Sequence, residues 1–140
     1  MLYATVAGER DGIAAEPPVD ITERAALFAR TIGGTVVAES GARLVGFLHV
    51  EDTRHGFGEI GMLVDRAWRG RGVGSALLEA AIGQARERGL HKLSLEVFAH
   101  NTAATGLYRK CGFVAEGRRV RQYRRASGEQ WDSIVMGLLL

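Results

Sequence analysis

The residues of this chain best placed to do chemistry lie together in Arg69-Gly70-Arg71-Gly72-Val73-Gly74-Ser75, where three glycines alternate between an apolar strand pattern and an apolar helix pattern. The first turn of a helix carries backbone N–H groups with no internal partner, and the helix dipole adds positive potential there. Glycine has no Cβ to hold an anion away from those groups, and Arg69 and Arg71 bring two full charges to the same place. A junction of this kind binds a phosphate or pyrophosphate; the plain alternative is a tight turn that needs glycine for its backbone angles alone. A nucleotide P-loop is excluded, since it ends in Gly-Lys-Ser/Thr and the chain has no Gly-Lys pair. A dinucleotide fingerprint fits further: Gly70-Arg71-Gly72 follows a strand, and Glu96 lies near the spacing of a ribose-binding acid. It fails at the third glycine, where Ser75 (counted from Gly70) or Leu77 (counted from Gly72) stands instead.

Other reactive groups are scattered. Four histidines and one cysteine show no zinc spacing, so no metal is expected, and no Gly-x-Ser-x-Gly nucleophile elbow occurs. Cys111, beside Gly112, reads as a small core residue; as a lone cysteine it has no internal disulfide partner and suits a reducing compartment.

The elements that must position these groups follow from period and punctuation. Residues 8–20, with Pro17-Pro18, read as a loop, and Asp20 with Glu23 opens a helix to about Ile32, ended by Gly33-Gly34. Thr35–Glu39 and Arg43–Glu51 read as strands joined by a turn at Ser40-Gly41, and Phe57–Val64 as a third strand. Residues 73–88 turn helical, with Val73, Leu77, Ala80, Ala81 and Gln84 on one side, Leu78, Ile82 and Ala85 beside them, and Gly89 stops them. Lys92–Phe98 alternates as a strand, and 101–110 is a helix opened by Asn101-Thr102. A strand from Gly112 runs into a basic strip, and Glu129–Leu140 returns as the second half of a hairpin. The whole is α/β with a mixed sheet, and the strand–helix–strand crossover of 57–98 makes its strands parallel.

At 140 residues, 46% hydrophobic and 24% charged, the chain suits one domain over 1–140 with an ordinary core, which excludes wholesale disorder and a disulfide scaffold. The N-terminus lacks the pattern of a signal peptide and no apolar run reaches about 20 residues, so the expectation is a cytoplasmic protein with no membrane partner. Net charge is +2, yet residues 109–125 alone carry +6, leaving −4 elsewhere. No aromatic-basic module accompanies that strip, so it reads as a solvated face and nucleic acid is not an expected partner.

The glycine turn resembles the acetyl-CoA-binding signature of the GCN5-related N-acetyltransferases (GNAT), Arg/Gln-x-x-Gly-x-Gly/Ala, which Arg69 to Gly74 satisfies. Leu77-Leu78, the strand to Phe98, and then Asn101, Ala104, Leu107, Tyr108, Gly112 and Phe113 match the family's second half in order and spacing. The resemblance implies a mostly antiparallel sheet, flanked by helices, whose central parallel pair splays around acetyl-CoA. It implies pantetheine bonding to the backbone of Met62, Leu63 and Val64, and the pyrophosphate held by Gly70, Arg71, Gly72, Val73, Gly74 and Ser75 beside Arg69. Asn101 is implied at the pantetheine arm, its alternative being a helix cap, and Arg109 or Lys110 near the CoA phosphates. Tyr108 matches the tyrosine that protonates the departing thiolate, its alternative being a ring that fills the sheet–helix gap. Glu59 holds a position where some family members carry a general base; Glu96, His55 and His100 are rivals.

The implied activity is direct acetyl transfer from acetyl-CoA to a primary amine, of a small molecule or a protein. The alternative is a non-catalytic acetyl-CoA-binding module. Family members begin with a strand and two helices over the acceptor site, whereas here Leu2–Val6 offers the strand and 8–33 a single helix. Trp131, Tyr123 and the late arginines are further candidates to line that site, and a homodimer through the terminal hairpin is a possible assembly.

Overall fold

The structure, a computed structural model, describes residues 2–10 and 34–140. Its centre is a six-stranded sheet of β1 (Thr35–Ser40), β2 (Arg43–Asp52), β3 (Phe57–Val64), β4 (Lys92–Phe98), β5 (Val114–Arg124) and β6 (Gln130–Leu139), ordered β1-β2-β3-β4-β6-β5. All neighbours are antiparallel except β3 and β4. The hairpin of β1 and β2 closes through Gly41, whose φ of +60° suits a residue without Cβ. No helix among the described residues is long and apolar enough to cross a membrane.

Three helices are described: α1 (Leu2–Gly8), α2 (Val73–Glu87) and α3 (Thr102–Lys110). The expected strand at Leu2–Val6 is therefore a helix. Leu2 and Val6, four residues apart, fall on one helical face and pack on Phe47 and Leu63; that tertiary contact overrides the β-propensity of a short mixed segment. The expected loop of 8–20 lies largely outside the described residues, and the helix from Asp20 to about Ile32 entirely so.

The crossover through α2 joins β3 to β4 in parallel, as the pattern demands. Within α2 the buried face is Leu77, Leu78, Ala81 and Ala85, while Ala80 and Gln84 look outward. Leu78 and Ala85, expected beside the main row, are buried with Leu77 and Ala81, because packing on the sheet takes the side of the helix that both leucines share. The main core lies on that face of the sheet, where α2 meets Leu48, Leu93, Leu95 and Met136 and α3 contributes Tyr108. The opposite face carries α1.

Candidate active site

The site begins where a ladder stops. β3 and β4 pair only at Phe57–Lys92, Gly58–Leu93 and Glu59–Ser94. Beyond these pairs, Ile60–Val64 and Leu95–Phe98 have no ladder between them, although β3 stays paired to β2 and β4 to β6 over their length. The sheet thus opens as a wedge whose two inner edges present backbone N–H and C=O groups, an arrangement that accepts an extended ligand as an added strand.

The glycine turn stands at the open end of β3. Asp65 begins it: its Oδ1 accepts from Ala67 N at 2.9 Å and caps the short 3-10 turn Arg66–Trp68, while its Oδ2 meets Arg43 at 2.6 Å. Gly70 and Gly72 then adopt φ of +68° and +85°, and a Cβ at either would meet nothing within 4 Å, so backbone angle rather than crowding demands glycine and the space beside it is open. Gly74 differs, since a Cβ there would come within 2.7 Å of Leu107 and 3.6 Å of Met62. It lets α2 sit close on α3 and β3. Val73, Gly74 and Ser75 form the first turn of α2, whose N-cap is Gly72. That cap supplies no side-chain acceptor, so the first N–H groups of α2 remain available to an anion.

The two arginines of the turn have different surroundings. Arg71 lies 4.2 Å over the Trp68 ring and makes no ion pair among the described residues. Arg69 is exposed but bonded within the chain: its Nε donates to the Val64 carbonyl at 3.0 Å and its Nη1 to Glu9 Oε2 at 2.7 Å. The Val64 carbonyl, expected to face pantetheine, thus already accepts from within the chain.

Side-chain alternation sorts the remaining residues by face. Ile60, Met62 and Val64 pack against the main core, whereas Leu63 points to α1. Glu59, two and four residues from Gly61 and Leu63, shares the α1 face with Ser94 and, further along β4, Glu96. Glu59 is exposed and has no ion pair among the described residues. Glu96 is held: Arg119 Nη1 donates to it at 3.1 Å, and the buried Ser133 hydroxyl and the Tyr123 hydroxyl donate as well. Burial foremost, and then the charge and hydrogen bond of Glu96, push the Tyr123 phenol above its usual range.

From the other face comes Tyr108 on α3. Its ring is buried, packs edge-on to Phe113 at 5.8 Å, and belongs to the main core. Burial pushes its pKa up to about 12, so the phenol keeps its proton at neutral pH. Asn101 caps α3, its Oδ1 accepting from Ala104 N at 3.1 Å, which leaves its amide NH2 as a donor. Of the rival bases, His55 sits in the β2–β3 loop at the closed end of the wedge. His100 stacks on Phe98 and meets Trp131 edge-on, with ring centroids at 5.7 and 4.5 Å. Arg109 and Lys110 are exposed in the last turn of α3.

Two features went unread in the sequence. Asp65 is buried, with the spacing of a cap ahead of Ala67 as its only local signal. Arg125 is buried too, its guanidinium 4.5 Å over Trp131 and 5.3 Å over Phe98, with a bond to the Arg10 carbonyl. Nothing local separates it from the exposed arginines of the same strip. Trp131 borders two open depressions of about 320 and 160 Å³; the smaller is also lined by Arg10, Arg125, Ser127 and Glu129. Among the described residues, no group of histidine, cysteine or acidic side chains could hold a metal ion.

Comparison with known proteins bears on this wedge. Residues 7–113 match the model of the acetyltransferase (GNAT) family. The chain is 32% identical over 148 aligned positions to the L-methionine sulfoximine/L-methionine sulfone acetyltransferase of Pseudomonas paraeruginosa, covering 99% of this chain and 86% of that protein. A second relative, the ribosomal protein bS18-alanine N-acetyltransferase of Escherichia coli, is 40% identical over 75 residues, 54% of this chain and 50% of the relative. Among solved structures, the ribosomal-protein-alanine N-acetyltransferase of Brucella melitensis superposes with a TM-score of 0.89 at 28% identity, over 99% of this chain and 90% of that one. A putative acetyltransferase of Salmonella typhimurium, solved with its cofactor acetyl-CoA, gives 0.87 at 25% identity over 99% and 84%.

Proposed function

As a member of the GNAT acetyltransferase family this chain carries out acetyl-CoA-dependent N-acetylation, and we propose that transfer is direct, within the wedge between β3 and β4, to the α-amino group of a small amino-acid derivative. The observation that carries the reading is the end of the β3–β4 ladder at Glu59 and Ser94, with the glycine turn at the open end of the same strand. These residues fit acetyl-CoA. The backbone of Met62 and Leu63 offers an edge to pantetheine, while Gly70, Gly72 and the first N–H groups of α2, with Arg71 beside them, suit the pyrophosphate. The Asn101 amide is free to meet the pantetheine arm.

The two faces of the wedge divide the proton chemistry. Bound acetyl-CoA supplies an activated acyl group. On the α1 face Glu59, exposed and without an ion pair among the described residues, takes the proton that the ammonium must lose before attack. Strand N–H groups stabilise the developing oxyanion, and from the α3 face Tyr108 gives its proton to the departing sulfur. Burial keeps the phenol in its protonated form, the form that can donate. Glu96 suits the base role less well, because Arg119, Ser133 and Tyr123 already occupy its carboxylate.

The amino-acid acceptor is supported by the full-length match to the L-methionine sulfoximine/L-methionine sulfone acetyltransferase, where the match to the protein-acetylating relative spans half of each chain. The test is thiol release from acetyl-CoA with L-methionine sulfone, L-methionine sulfoximine and an alanine-initiated peptide. Turnover of the amino-acid derivatives, reduced about 100-fold in Glu59→Gln, is the expected result. Turnover of the peptide alone overturns the acceptor, and full activity in the variant overturns the base.

A further inference from the structure

Arg69 is the first residue of the signature, and its charge stands where phosphates are expected. Its surroundings do not fit a phosphate ligand. The Nε–H is spent on the Val64 carbonyl, the last residue of β3, at 3.0 Å, and the Nη1 on Glu9 at 2.7 Å. The Glu9 side chain is only 13% exposed although that of Arg69 is 41% exposed, so the carboxylate is sheltered and balances the charge of Arg69 at close range. Glu9 follows directly on α1, with its N–H bonded to the Val6 carbonyl, and α1 is packed on Leu63. One guanidinium therefore ties together three things: the end of β3 at the mouth of the wedge, the start of the phosphate-binding turn, and the α1 face.

We propose that Arg69 is a positioning residue, which fixes the angle at which β3 passes into the glycine turn, and that Arg71 is the cation that meets the phosphates. The inference rests on the acetyl-CoA reading of the wedge. Chemistry at the Nε position favours it. A glutamine amide nitrogen lies the same number of bonds from Cα as the arginine Nε, so glutamine can donate to the Val64 carbonyl as arginine does, without a charge and without reaching Glu9. Arg71, stacked on Trp68 with no acidic partner among the described residues, keeps its full charge for an anion.

The experiment is calorimetric binding of acetyl-CoA over a range of NaCl concentrations. The proteins compared are wild type, Arg71→Gln, Arg69→Gln, Arg69→Met, and the double variant Arg69→Gln with Glu9→Gln, which avoids leaving the Glu9 carboxylate buried without its partner. The expected result is affinity within about 3-fold of wild type for the glutamine variants at position 69, a loss of about 10-fold or more in Arg69→Met, and an unchanged salt dependence in all three. Arg71→Gln weakens binding and flattens the salt dependence, as removal of a phosphate contact does. Equal losses in Arg69→Gln and Arg69→Met with a flattened salt dependence overturn the proposal and make Arg69 a phosphate ligand. Wild-type affinity in Arg69→Met overturns it as well. Thermal unfolding of each variant identifies any loss that comes from the fold, and the double variant then decides. Failure of wild type itself to bind acetyl-CoA counts against the reading of the wedge and is read separately from these ratios.

Discussion

Single residues here divide into those whose role follows from type and those whose role follows from surroundings. Tyr108 is of the second kind. The same burial that makes its ring part of the core lifts its pKa to about 12, so a packed ring and a protonated hydroxyl have one cause, and the packing does not exclude the proposed acid role. Tyr108→Phe keeps the ring and removes the proton; we expect kcat to fall about 100-fold with the affinity for acetyl-CoA little changed. Because the phenol holds its proton well past pH 10, the wild-type pH–rate profile should show no falling limb from this group below about pH 11, and a fall near neutrality would remove Tyr108 as the acid. Stability carries the same signature. The folded pKa lies above the unfolded value of about 10, so the contribution is complete below pH 10 and disappears as pH rises through 12. Urea titrations between pH 9 and 12 should therefore show wild type losing more stability than Tyr108→Phe.

Elements were read most easily where punctuation is local. Gly89 and the Asn101 cap bound α2 and α3 much as the pattern indicates, and β4 spans Lys92–Phe98 as expected. The reversal among the described residues, α1 in place of a strand, sits where seven residues carry weak preferences and a tertiary contact with Phe47 and Leu63 decides. The glycine turn combines both kinds of constraint, because Gly70 and Gly72 are favoured by angle and Gly74 by the close approach of the Leu107 side chain, whose end would have to shift to admit a Cβ. A substitution at Gly72 therefore has two parts. Gly72→Ala meets the left-handed strain alone, about 1–2 kcal/mol, in open space. Gly72→Glu adds a negative charge beside the phosphate position. Thermal unfolding should show both variants similarly destabilised, while acetyl-CoA binding is retained in Gly72→Ala and lost in Gly72→Glu; equal binding in the two would show that no anion approaches this turn.

At the scale of the molecule, the sheet is two antiparallel halves joined through three residue pairs of β3 and β4 and through the core beneath α2. A ligand lying in the wedge would bridge the halves, so acetyl-CoA at about 100 times its Kd should add about 2.7 kcal/mol of stability. Amide exchange should slow selectively along Ile60–Val64 and Leu95–Phe98, and protection confined to the glycine turn would show that the inner edges take no part. Much of this was legible from residue types alone. The apolar periods, the stops at glycine and the alternation of glycine with arginine are local, and local chain geometry responds to them directly, so the α/β order, the parallel crossover and the glycine turn at the head of α2 follow from the sequence. Where the β3–β4 ladder ends is not local, since each edge residue has the same backbone whether or not a neighbour lies within reach. The assignment of Glu59 and Tyr108 to opposite faces depends on that opening together with the packing of α2 and α3. The same holds for the arginines: Arg69 and Arg71 are one chemical type two positions apart, and only the arrival of Glu9 from the start of the chain, sixty positions away, neutralises one and leaves the other its charge.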